Sequence, residues 1–177
     1  MLRTTALPFP ENRFPSIKDL CSAVVREFSP VAIRSRREFA AGALERPVEA
    51  QFQDEFYRAC YTLLGDIYLT SEWSGKGLGG SVDFQIKSQK WAIECVREGD
   101  RLEQHIERFL EGGRYYKWIE SREIEDYIIL DFRTSMPRKV RDNIPFLYFI
   151  VFSKDYTCYE TYDAQLNLVE KKRALTN

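Results

Sequence analysis

Histidine is nearly missing from this chain, with His105 the only one. The four cysteines, Cys21, Cys60, Cys95 and Cys158, are widely spaced, with no C-x-x-C pair and no histidine at ligand spacing. Neither a structural zinc site nor a disulfide framework is expected, and a reducing, intracellular compartment follows. Long apolar runs are lacking too: the longest, Phe146 to Phe152, falls far short of the roughly 20 residues a membrane helix needs, so no membrane partner is expected. Pro8, Pro10 and Pro15 interrupt the N-terminal stretch, so no secretory leader is expected there. Neither charge is in excess. Lys plus Arg number 26 against 27 Asp plus Glu, a net charge of -1, which argues against a globally basic nucleic-acid coat and leaves local basic patches.

What remains is enough for a folded domain. The chain has 177 residues, 44% hydrophobic, 14% aromatic and 30% charged, too apolar for disorder. At this length it buries about two-thirds of its unfolded surface without a staple.

The first fifteen residues are proline-rich and read as an irregular arm. Ser16, with Asp19 three residues on, resembles a capping box, and Ile17, Leu20, Cys21, Val24, Val25 and Phe28 recur at helical spacing. Pro30 opens a second stretch, Val31 to Leu44, that carries Arg34, Arg36 and Arg37. Pro47 starts a third helix, Val48 to Leu64, which stops at Gly65. Glu55 flanks its buried stripe of Val48, Phe52, Phe56, Ala59 and Leu63.

After Gly65 the period changes to two, predicting strands Ile67–Trp73, Ser81–Lys87 and Trp91–Glu98 with a glycine-rich loop between the first two. A helix from Asp100 to Glu111 follows, with Leu102, His105, Ile106 and Phe109 on one face. Further strands are expected at Asp126–Phe132, Phe146–Ser153 and around Tyr156–Tyr162, with Glu170–Asn177 a frayed tail. The order predicts an α/β fold, one mixed sheet flanked by helices, over residues 47–177, preceded by an arm and helical segment over 1–46.

The second and third strands should form a hairpin. A turn centred on Ser88-Gln89 sets opposite each other residues whose numbers sum to 177. Ile86 then faces Trp91, Phe84 faces Ile93 and Val82 faces Cys95, all on one apolar face. The other face holds Lys87 opposite Lys90, Gln85 opposite Ala92, and Asp83 opposite Glu94. Two carboxylates at cross-strand distance repel unless something cationic lies between them, and a divalent metal is the economical explanation. With Glu55 added from the third helix, three carboxylates would converge on a hard-cation site suited to phosphoryl chemistry. The alternative is a solvated sheet face on which each acid pairs with a nearby Lys or Arg. His105 reads either as a hydrogen-bonded core residue or as a general base.

Gly75-x-Gly77-x-x-Gly80 matches a dinucleotide fingerprint in form only, because a strand follows it where a helix is required. It reads as a flexible loop whose Lys76 is within reach of a phosphate backbone. Arg138, Lys139 and Arg141, with Arg133, form a basic loop that would supply salt-sensitive phosphate contacts if it borders the carboxylates. Tyr115, Tyr116 and Trp118 read as base-stacking or core residues.

Glu55 on a helix, then Gly80-Ser81-Val82-Asp83-Phe84, then Trp91-Ala92-Ile93-Glu94-Cys95-Val96-Arg97, resembles the D…E-x-K core of the PD-(D/E)xK restriction-endonuclease-like superfamily, whose αβββαβ core the element order fits. A wider string adds Glu49, Phe56-Tyr57-Arg58, Arg97-Glu98-Gly99-Asp100-Arg101-Leu102, His105, Arg108-Phe109 and Gly112-Gly113-Arg114-Tyr115. It resembles the nuclease-type C-terminal domains of Crinkler effector proteins, over roughly Glu49 to Phe132. The resemblance implies a nuclease dependent on Mg or Mn that hydrolyses phosphodiester bonds of DNA. Asp83 and Glu94 would be ligands, the Cys95 carbonyl a third, and Glu55 an outer carboxylate. The family lysine falls at Val96, so Lys87, Arg97 or His105 would have to complete the site. Otherwise the domain is catalytically inactive and binds nucleic acid or a host protein. The resemblance also implies action in the nucleus of a recipient cell, and admits a homodimer.

Overall fold

In the computed structural model of the protein, residues 8–34, 49–65, 69–76 and 79–175 are described. Helix α1 (Ile17–Arg26) begins where the sequence caps it. Ser16 Oγ accepts the Asp19 N–H at 3.2 Å and donates to the Asp19 carboxylate at 2.6 Å. Such a cap is worth about 1 kcal/mol. Helix α2 (Pro30–Arg34) is a short turn, and α3 (Glu49–Leu64) ends at Gly65, which takes the left-handed φ of +63° that favours glycine there. Most of the second predicted helical stretch, including Arg36 and Arg37, lies outside the described residues, as do Ile67 and Gly77.

Seven strands form one mixed sheet in which spatial order equals chain order. They are β1 (Leu69–Trp73), β2 (Val82–Ile86), β3 (Trp91–Arg97), β4 (Asp126–Arg133), β5 (Leu147–Phe152), β6 (Cys158–Asp163) and β7 (Leu168–Ala174). The pairs from β1 to β3 and from β5 to β7 are antiparallel; β3–β4 and β4–β5 are parallel. Helices α4 (Leu102–Phe109) and α5 (Tyr116–Glu120) carry the chain from β3 to β4. The fold is therefore α/β. Its parallel centre reads as continuous apolar sequence because helices cover both faces. On one face α1 and α3 bury Phe28, Phe52 and Phe56 against Phe84, Ile93, Phe132 and Phe152; on the other, α4 and α5 bury Ile106, Phe109 and Trp118 against Ala92, Val96, Ile129 and Phe149.

The helical segment before residue 47 shares that core, since Leu20, Val24 and Val25 of α1 join Ile128, Leu130 and Ile150 in one cluster. The expected frayed tail is instead strand β7, paired with β6. Its charged sequence is that of a solvated edge strand, which alternation does not reveal. Glu170 alone turns inward, accepting from Arg26 Nη2 at 2.9 Å and Ser22 Oγ at 2.8 Å. Among the described residues no helix is long and apolar enough to cross a membrane.

The hairpin has the expected register: Phe84 faces Ile93, Gln85 faces Ala92 and Ile86 faces Trp91. Val82 departs from it. It packs with Ala92 and Val96 under α4 and α5, not with Phe84 and Cys95 under α1 and α3. The pairing of β2 with β3 stops at Phe84, beyond which the Asp83 side chain takes the Cys95 N–H, and opposite this point Glu72 of β1 has a left-handed φ of +49°. The resulting kink turns Val82 to the other layer.

Candidate functional site at the end of strand β3

Strand β3 ends in a tight turn, Glu98 to Arg101, where Glu98, Gly99 and Arg101 all have positive φ. Side chains from β4 and the loop after it pin this turn. Asp131 accepts the Gly99 N–H at 2.9 Å and is bridged by Arg133 at 2.9 Å, while Glu98 accepts the Thr134 N–H at 2.9 Å. Burial pushes the Asp131 carboxyl up to about 6 even so. The turn delivers the first helical turn of α4 over the end of β3. Residues three apart on a helix share a face, so His105 and Arg108 both look down on Glu94.

Glu94 is fully buried. Its Oε2 lies 2.5 Å from His105 Nδ1 and 3.2 Å from Arg108 Nη1, whereas its Oε1 is buried with no hydrogen-bond partner. Nδ1 thus lies between the Glu94 carboxylate and Arg108 Nη1, which is also 3.2 Å from it; toward an ionised carboxylate the ring can only donate. Arg108 reaches on to the Tyr115 hydroxyl, which donates to the Ser81 carbonyl and so ties α4–α5 to the segment entering β2. Burial and the charge of Glu94 raise the Tyr115 phenol.

Asp83 sits at the kink, its Oδ2 accepting the Cys95 N–H at 2.7 Å. Burial first and the charge of Glu94 second push its carboxyl up to about 7, against the lowering effect of that hydrogen bond. A third acid comes from the opposite helical layer, and it is Glu49, the first residue of α3. Burial raises its carboxyl, and among the charges it feels are His105 and Arg101, which lower it, and Asp100 and Glu94, which raise it.

Glu55, the acid expected there, is elsewhere. It accepts the Ser29 N–H at 2.8 Å and pairs with Arg58 at 3.0 Å, joining α3 to the start of α2. Both acids lie on α3, and it is Glu49, at its start, that feels the charges of His105 and Glu94; the position of Glu49 just inside a proline-started helix was the available signal.

The Cys95 thiol points into the core on the α1–α3 face, where burial raises it. What Cys95 gives the site is its backbone N–H. Lys87 is exposed in the hairpin turn, roughly 13 Å along the strand from Asp83 at the usual rise per residue, and so does not reach the acids. Arg97 is half-buried at the end of β3, with a buried Nε that has no partner. Val96, where the family lysine would stand, is fully buried against Leu102 and Ile106.

Lys76 is exposed, and its backbone N–H reaches Glu123 at 3.4 Å. Gly75 beside it lies so close to Trp118 that a Cβ would come 2.3 Å from the indole nitrogen, which anchors this part of the loop to α5. Lys139 and Arg141 both pair with Glu103 of α4, at 3.2 and 2.9 Å, while Arg138 is exposed. The basic loop thus folds against the first turn of α4. It sits at the carboxyl ends of the parallel strands, where ligands of open α/β sheets bind.

Glu49, Asp83, Glu94, His105 and Arg108 form one electrostatic group, in which the charge of Glu94 raises the Asp83 and Glu49 carboxyls. Among the described residues no three His, Cys, Asp or Glu side chains form a metal-binding group. Glu94 Oε1, buried without a partner, and the Asp83 carboxylate, which feels the Glu94 charge, are oxygen donors of the kind a hard divalent cation takes. No family model, curated protein or solved structure matches the chain.

Proposed function

We propose that the protein is a metal-dependent nuclease that hydrolyses phosphodiester bonds of DNA on a restriction-endonuclease-like core. The run α3-β1-β2-β3-α4-β4, antiparallel through β3 and then parallel to β4, supports that core. One observation carries the chemistry: a fully buried carboxylate, Glu94, has one oxygen held by His105 and Arg108 and the other without a partner, and its charge acts on Asp83. Asp83 and Glu94 would hold Mg or Mn, which when bound screens a phosphodiester and lowers the pKa of water.

The remaining roles belong to the chain itself. His105 donates through Nδ1 to Glu94 and sets the carboxylate's orientation; with that nitrogen engaged, it is a positioning residue. Arg108 balances the Glu94 charge. Glu49 adds a further carboxylate whose charge acts on Asp83. Action in the nucleus of a recipient cell belongs to this proposal through the Crinkler resemblance alone.

A second reading, an inactive nuclease fold that binds nucleic acid or a host protein, draws support from Val96 in the core and from the engagement of Glu94 by His105 and Arg108. Supercoiled plasmid and single-stranded DNA incubated with Mg, Mn or EDTA separate the two. Nicking that needs metal and disappears in Asp83→Asn and Glu94→Gln is the expected result. Binding without nicking by the wild type selects the second reading.

A further inference from the structure

An open groove of about 530 Å³ runs along the C-terminal end of α4 and the turn that follows. Two arginines line it. Arg108 marks the inner end, its Nη1 3.2 Å from Glu94 and its guanidinium 5.9 Å from the centre of the Tyr115 ring. Arg114 marks the outer end and rests on Gly80. A Cβ there would come 2.6 Å from Arg114 Cδ and 3.1 Å from Nη1, and the backbone has a φ of +114° open only to glycine. Arg114 forms no ion pair among the described residues, whereas Arg108 is shared with Glu94.

Arg108 lies over Tyr115, whose hydroxyl is bonded to the Ser81 carbonyl, and the exposed Arg114 rests beside Gly80, so both border the segment that leads into Asp83. Glu107 and Glu111 also line the groove. They rule out a broad positive field, so a phosphate held here would have to be gripped directly by the guanidinium groups. Being open, the groove suits a polymer passing through better than a mononucleotide.

We propose that Arg108 and Arg114 form a phosphate clamp at the mouth of the carboxylate site, holding one phosphodiester of a nucleic-acid strand adjacent to the one that faces Asp83 and Glu94. This rests on the reading that a strand enters that site. Fluorescence anisotropy with a labelled single-stranded DNA oligonucleotide, with Ca²⁺ and separately with EDTA across a salt series, tests it. Arg114→Gln should weaken binding several-fold and make the dependence of log K on log salt shallower by about 0.7, the value for one phosphate contact on a single strand. Arg114→Lys should keep the slope and lose part of the affinity. An unchanged slope in Arg114→Gln, with a wild type that binds and nicks DNA, overturns the clamp and leaves the nuclease reading standing. A shallower slope without nicking by the wild type supports the clamp and overturns catalysis. A wild type that binds no oligonucleotide under either condition overturns both.

Discussion

A carboxylate such as Asp83 is held in the folded protein against its own charge, so its effect on stability has a definite sign. Its folded value, about 7, lies above the ordinary 3.8, and the stability tied to its neutral form is fully present below about pH 4 and lost as pH rises through 7. The difference corresponds to at most about 4 kcal/mol. Asp83→Asn keeps an oxygen for the Cys95 N–H and removes the charge, so it should stabilise the fold at pH 8 and make little difference near pH 4. Urea denaturation at the two pH values measures this. Glu55 and Glu49 make a second contrast. Glu55→Gln loses its ion pair with Arg58 and should cost about 1–3 kcal/mol in denaturation midpoint with metal binding intact, while Glu49→Gln should weaken Mn binding by calorimetry and hardly move the midpoint.

Among the elements, the hairpin was legible because the apolar pairs Phe84–Ile93 and Ile86–Trp91 agree on one register, and a slip by one residue would expose both. The kink at Val82 was not, since it arises where a side chain takes over a backbone hydrogen bond, and alternation is blind to that. Asp83 and Glu94 could be picked out as a pair from spacing; the partners of Glu94 on α4 depend on the turn at Glu98–Arg101, whose left-handed geometry has no marker except Gly99. The turn after α4 invites a direct check. A Cβ on Gly113 would come 2.0 Å from the Glu107 carbonyl oxygen, a backbone atom that cannot swing aside. Gly113→Ala should lower stability by about 1–3 kcal/mol, read as a shift in urea midpoint, and loosen Tyr115 and Arg114 with it.

For the whole molecule, α1 is the element whose membership sequence periodicity could not decide, because an amphipathic helix reads the same whether it caps its own domain or another's. Phe28, just past its end, stacks near Phe132 and Phe152 at 5.6 and 6.5 Å, inside the principal core. A chain started at residue 47 should therefore lose cooperative unfolding and bind an apolar dye such as anilinonaphthalene sulfonate, whereas the full chain should melt in one transition. Phe28→Ala should cost about 3–5 kcal/mol.

The agreement between strand order and chain order has a temporal consequence. Each strand finds its neighbour in the segment made just before or after it, so during synthesis the sheet can grow by accretion, one ribbon at a time, without a late strand threading between earlier ones. The first helix is the exception: made early, it must wait until the fourth and fifth strands leave the ribosome before its apolar side has anywhere to rest.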